Sequence, residues 1–249
     1  MGTKKTSEAG QARREASADE PVPRNRILAA LPNMELRRLL SGADVVSLDF
    51  GQVLQRPGDM RLHVYFPTDT YVSQIASLSG VPRIEVGLVG AEGMIGSSLS
   101  LGVQIAPLYT VVQGAGNALR LDATHFVREL ARAPALRAMM SRYVYVRMSQ
   151  LGQMAACTRF HTVDERLARW LLMTRDRAQS TTFHMTHEYM AFMLGVRRVG
   201  VTEAAALLQR RNLIEYKRGE LAILDSQKLE AASCECYGTD ERVYRAYMN

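Results

Sequence analysis

Residues 197–203 crowd Arg197, Arg198, Val199, Thr202 and Glu203 into a short stretch. Two guanidiniums, a methyl-bearing side chain, a hydroxyl and a carboxylate make a set suited to reading base edges. Arginine pairs with guanine O6 and N7, glutamate accepts from cytosine N4, and valine can touch a thymine methyl. Lys217 and Arg218 add a second pair of cations twenty residues on, and Thr186 and His187 lie just upstream; these four suit phosphate oxygens, which position a protein on duplex DNA without specifying sequence. Arg210-Arg211 reads equally well as a phosphate contact or a solvated helix end. Residues 158–228 hold twelve basic against eight acidic residues, a net of +4, the sign that phosphate binding requires.

Other chemistry is poorly provided for. No convergent nucleophile and base, phosphate loop or His/Glu metal motif occurs, so the chain does not read as an enzyme. Asp164-Glu165 resembles a carboxylate pair but fits helix capping better. Three cysteines, Cys157, Cys234 and Cys236, are too few for a disulfide framework. Cys234 and Cys236 with His184 and His187 would supply four metal ligands, but reduced, structural thiols are the simpler expectation. We therefore expect no metal and no cofactor.

The base-reading set needs a scaffold. Thr186 suits an N-cap, with Glu188 in the first turn. A helix over 187–194 then stops at Gly195, where a left-handed backbone is cheap. A second helix starts near Arg197-Arg198 and runs to about Arg211. Ala191 lets the two cross closely, and Met190, Leu194, Val196, Val201 and Leu208 fill the shared core. Two helices joined by a short glycine-containing turn form a helix-turn-helix. Residues 213–216, 217–220 and 221–224 then read as strand, turn and strand, the wing of a winged helix.

Upstream, Thr162 and Glu165 form a capping box for a helix carrying Leu167, Trp170, Leu171 and Met173, after which 175–182 reads as a loop. Residues 25–121 read mainly as β, with strands near 44–50, 62–66, 71–78, 84–88 and 109–112 punctuated by Gly and Pro, preceded by a small helix near 33–40. Asp122 caps a helix to about Arg132, and Pro134 opens a long one. Leu136, Met140, Val144, Met148, Leu151 and Ala155 make a stripe along it, a candidate dimer seam; packing on the chain's own β domain is the competing role. The predicted organisation is a polar tail (1–24), a β-roll (25–132), a dimerisation helix (133–157) and a DNA-binding domain with a C-terminal extension (158–249). The fold class is α+β: a jelly-roll-like β-roll, a long helix and a winged helix-turn-helix. A net charge of +6 favours anionic partners. No apolar run is long enough to span a bilayer and no secretory signal is read, so a cytoplasmic setting without membrane contact is expected.

This arrangement resembles the bacterial Crp/Fnr family of transcription regulators over about residues 25–237. The matching stretches are VLQRPGD (53–59), VGAEGMIG (89–96), ERLARWLL (165–172), MLGVRRVGVTEAAALLQRRNLI (193–214) and YKRGELAILD (216–225). The resemblance implies a homodimer on a near-palindromic duplex, contact with RNA polymerase, and an effector pocket in the β-roll. The cyclic-AMP-binding members carry Gly-Glu and, some ten residues on, Arg-Ser. Gly96-Ser97 and Pro107-Leu108 stand at those places here, and the adenine-contacting Thr-Ser of the long helix falls on Leu151-Gly152. Residues 93–111 contain no Lys or Arg, and a phosphate buried without a cation is costly. Weak or no cyclic-AMP binding follows, leaving the small-molecule effector unknown and Gly96, Ser97, Pro107, Leu108 and Leu151 as candidate pocket residues. An N-terminal iron–sulfur cluster is excluded because the first cysteine is Cys157; His63 and His125 are weak candidates for a haem ligand. The alternative is a cyclic-nucleotide-binding-like interaction module without operator-specific DNA binding.

Overall fold

The computed structural model describes residues 24–77 and 84–249. Most of the polar leader, and Leu78 and Gly80, lie outside the described residues. Asn25 stands near the start of the described chain: its side chain accepts from the Ile27 and Leu28 N–H groups and donates to Pro67 and Gly93 carbonyls at 3.0 and 2.8 Å. This caps α1 (Arg26–Ala29) and pins it to the β-roll; α2 (Asn33–Leu40) follows.

Among the described residues, seven strands build the roll: β1 (Ala43–Leu48), β2 (Val53–Gln55), β3 (His63–Pro67), β4 (Tyr71–Ala76), β5 (Ile84–Val89), β6 (Tyr109–Gly114) and β7 (Gly116–Asp122). They form two antiparallel sheets, ordered β1-β7-β3 and β2-β6-β4-β5. A short 3-10 helix, Ser97–Leu101, interrupts the run. Val64, Phe66 and Leu121 are fully buried and pack with Phe126, Leu136 and Met140 from the helices that follow.

Asp122 accepts from the Thr124 and His125 N–H groups and caps α3 (Ala123–Arg132). Pro134 occupies the first turn of α4 (Pro134–Phe160), where its missing N–H costs nothing. The helix runs three residues beyond the expected 157. Its stripe is divided. Leu136 and Met140 are fully buried in the chain's own core, which corrects their assignment to a dimer seam. Val144 is half-buried, while Met148 (65% exposed), Leu151 and Ala155 face outward.

α5 (Val163–Ala178) carries the expected capping box, with Glu165 accepting the Thr162 N–H at 2.8 Å. It runs through the first half of the stretch read as a loop, to Ala178. Arg175 and Arg177 occupy its last turn, where cations complement the helix dipole, and Gln179 ends it in the left-handed region (φ 51°). β8 (Thr182–His184) then adds a third strand to the wing, whose order is β8-β10-β9. α6 (His187–Leu194) and α7 (Arg198–Arg210) precede β9 (Ile214–Lys217) and β10 (Glu220–Ile223). α8 (Ser226–Ala232) and α9 (Cys236–Met248) complete the chain. α9 does not stay with the wing. It packs along α4, with Tyr145 and Tyr247 edge to face at 4.7 Å, and its Tyr244 and Met248 enter the core of the β-roll. Among the described residues, no helix is long and apolar enough to cross a membrane.

Candidate nucleic-acid interface

Thr186 accepts the Tyr189 N–H at 3.1 Å and starts α6. Gly195 ends it at φ +64°, ψ 37°, a conformation that costs an L side chain about 1–2 kcal/mol. Arg197 is the N-cap of α7. Met190, Leu194, Val201 and Leu208 are buried between the helices, with Val196 packed against them. Arg166, buried on α5, donates to the Leu194 carbonyl at 2.5 Å; it satisfies an orphan group at the end of α6 and fixes the tilt of the motif. The local sequence gives no signal of that role, which arises between residues 28 positions apart.

Arg197, Arg198, Val199 (63% exposed), Thr202 and Glu203 lie together on the outer face of α7's first turns. Thr202 is less free than its exposure suggests. Its hydroxyl donates to the Arg198 carbonyl at 3.0 Å and lies 3.0 Å from His187 Nδ1. With its proton committed to the carbonyl, Thr202 Oγ1 accepts from Nδ1–H, which leaves Nε2 as the unprotonated nitrogen. Burial, with help from the Arg198 charge, lowers the His187 pKa and favours this neutral ring. The ring stacks on Tyr216 at 4.3 Å. His187 thus joins α6, α7 and the wing rather than standing free at a helix mouth.

The wing turn has Arg218 at φ 53° and Gly219 at φ 88°, between paired Lys217 and Glu220. Two central residues at positive φ are the mark of a type I′ hairpin, whose twist matches that of its strands. Lys217, Arg218, Arg210 and Arg211 are all exposed. His184, on β8, pairs with Glu220 at 2.8 Å, so neither His184 nor His187 approaches the cysteines. The thiols have other company: Cys157 and His161, not His184 and His187, come together with Cys234 and Cys236.

The candidate pocket residues of the β-roll scatter in character. Gly96 is buried, Ser97 and Leu108 are half-buried, and Pro107 and Leu151 are exposed. A cation is buried elsewhere in the roll. Arg61 donates to Gln55, and its Nε, also buried, has no hydrogen-bond partner.

The motif leans on the β-roll. Ile75 belongs to its core cluster, with Tyr109 and Val111 packed alongside. Glu85 of β5 is buried and accepts from Trp170 Nε1 of α5 at 3.1 Å and from Ser73. Burial pushes the Glu85 carboxyl up, against the pull of its two donors.

Residues 165–232 match the sequence profile of the Crp-like helix-turn-helix domain. The chain carries a Crp-like DNA-binding domain on a Crp/Fnr fold. FixK2 of Bradyrhizobium japonicum superposes with a TM-score of 0.66 at 13% identity, covering 77% of this chain and 98% of that one. A CRP-family transcriptional regulator from Thermus thermophilus gives 0.62 at 18% identity, over 78% and 96%. CLP, a c-di-GMP-responsive global regulator from Xanthomonas campestris, gives 0.61 at 15%, over 78% and 100%. No curated protein sequence matches the chain significantly. At these identities the structures establish the fold, and the profile establishes the DNA-binding domain.

Proposed function

We propose that the protein is a homodimeric, sequence-specific transcription regulator of the Crp/Fnr type, acting in the cytoplasm and not an enzyme. One observation carries this reading: the first turns of α7 present Arg197, Arg198, Val199 and Glu203 to solvent beside a type I′ wing bearing Lys217 and Arg218. A recognition helix enters the major groove with its N-terminal residues, and the wing cations meet the adjacent backbone. Thr186 and His187 serve mainly to cap and join the elements, with Thr202 held in the same network. The outward half of the α4 stripe is the surface on which two copies meet. Duplicated motifs then read half-sites about 34–36 Å apart, one helical turn. Contact with RNA polymerase belongs to the same reading, which rests there on family likeness.

The effector, on this reading, is a molecule other than cyclic AMP, because residues 93–111 offer a phosphate no cation. Calorimetry with cyclic AMP should detect no binding; micromolar affinity would overturn that statement.

Selection of duplexes from a random library by the full chain, followed by fluorescence anisotropy, tests the main claim. Arg198→Ala should cost about 1–3 kcal/mol and relax preference at one base pair, whereas Lys217→Ala should weaken all sequences alike and reduce the salt slope by about 1. Absence of sequence preference at every salt concentration would favour the interaction-module alternative.

A further inference from the structure

Cys157 and His161 lie four residues apart near the end of α4, so their side chains share one face. His161 is the C-cap of that helix. Cys234 and Cys236 approach from the turn before α9, and Cys236 is the first residue of α9. All three thiols are buried. One ligand atom from each of the four residues lies within 4.8 Å of the others.

Two edges of this cluster can be compared with those of a coordinated ion. A tetrahedral zinc with Zn–S of about 2.3 Å and Zn–N of about 2.0–2.1 Å sets its sulfurs about 3.8 Å apart and a sulfur and nitrogen about 3.5 Å apart. Cys157 Sγ and Cys234 Sγ are 3.6 Å apart, and Cys236 Sγ and His161 Nδ1 are 3.5 Å apart. The spacing suits one ion; a polynuclear iron–sulfur cluster spreads its ligands over several metals.

The surroundings are those of a ligand set. His161 Nε2 lies 3.2 Å from the Glu235 carboxylate, which leaves Nδ1 to face the sulfurs. A carboxylate on the second ring nitrogen is the usual support for a metal-bound histidine. Three thiolates around a divalent ion leave a net charge of −1. That charge is met by Arg169 Nη1 at 3.7 Å from Cys157 Sγ, and by Gln153 Nε2, which donates to Cys236 Sγ at 2.9 Å. The start of the 13-residue α9 also favours negative charge at Cys236.

We propose that Cys157, His161, Cys234 and Cys236 bind one zinc(II) ion. Soft thiolate ligands select zinc over magnesium or calcium. Four protein ligands close the coordination sphere, so the ion is structural. It clamps α9 to the joint between α4 and α5, the connection through which the β-roll holds the DNA-binding domain. Each bound ion displaces the thiol protons to solvent.

The test uses the full chain, purified under reductant and without oxygen. Elemental analysis should find about one zinc per chain. Replacement by cobalt should give the strong visible bands of tetrahedral thiolate coordination, and zinc should shield the three thiols from alkylation. Cys236→Ser and Cys157→Ser should abolish stoichiometric binding. Glu235→Gln, at an exposed position, should leave the fold intact and weaken zinc affinity by about 10–100-fold; it covers the case in which a cysteine variant does not fold. The proposal is overturned if the zinc-supplemented wild-type chain holds no metal, whatever the reactivity of its buried thiols. Octahedral cobalt spectra, cysteine variants that retain full zinc, or a Cys157–Cys234 disulfide whose reduction restores no zinc binding would also overturn it.

Discussion

Gly195 sits where the helix-turn-helix touches the β-roll, and Gly195→Ala tests both demands at once. The residue's φ of +64° is the first; forcing alanine into the left-handed region costs about 1–2 kcal/mol. The second is space. A methyl on Gly195 would lie 2.8 Å from Ile84 Cδ1 and 3.0 Å from Ile84 Cβ, well inside contact distance. Overpacking of this kind adds about 1–3 kcal/mol. The expected loss is about 2–5 kcal/mol, measured by urea unfolding of the transition that follows Trp170 fluorescence. A double-mutant cycle separates the parts. In Gly195→Ala/Ile84→Ala the Cγ1 and Cδ1 contacts are gone but the backbone strain stays. The two substitutions should therefore couple by about 0.5–3 kcal/mol, the double variant being more stable than the sum of the singles implies. Additivity within about 0.5 kcal/mol would refute the contact between turn and roll. A single-variant loss below about 0.5 kcal/mol would refute the backbone argument as well.

Other perturbations follow from the same geometry. Glu85 has its carboxyl raised by burial, so the folded state binds the proton more tightly than the unfolded one, and its contribution is present at low pH and lost as pH rises through the folded value. Glu85→Gln should flatten that decline, with the melting temperatures of wild type and variant diverging above the ordinary carboxyl range; identical pH profiles would discount Glu85 as the cause. Thr162→Ala removes the capping-box partner of Glu165 and should cost about 0.5–2 kcal/mol, read by thermal unfolding. Met148→Lys places a charge on the outward face of α4 at a side chain 65% exposed in one copy. If two copies meet there, each loses about 1.5–3 kcal/mol of burial, so sedimentation should reveal folded monomers; an unchanged dimer would move the interface elsewhere.

Legibility from sequence tracked the range of the determining interactions. Thr186, Gly195 and the Arg218-Gly219 turn act through their own backbones, so their elements could be read from neighbours alone. β7 escaped notice because Gly116, Asn117 and Ala118 carry no β signal, yet register with both β1 and β3 makes it the centre of its sheet. β8 escaped assignment: only Thr182 falls in the expected loop, and three residues are too few to show an alternation, so the strand is defined by its pairing with β10. The stripe on α4 was visible, but which half turns inward depends on where the roll lies. The four zinc-type ligands were hardest. Cys157 and Cys234 stand 77 residues apart, and nothing local ranks His161 above His184 or His187.

α9 returns from the wing to the β-roll, and this has a consequence for how the chain comes to be folded. Ile27 and Tyr244 share one core cluster although 217 residues separate them. During synthesis, at about 5–20 residues per second, the β-roll emerges long before the helix that completes it. The roll must wait with part of its apolar surface uncovered while α5 to α8 are made and the winged helix takes shape. Domains usually fold as they emerge, the first before the second. Here the first can close only after the second has been made, so assembly of the β-roll and of the winged helix becomes a single event in time.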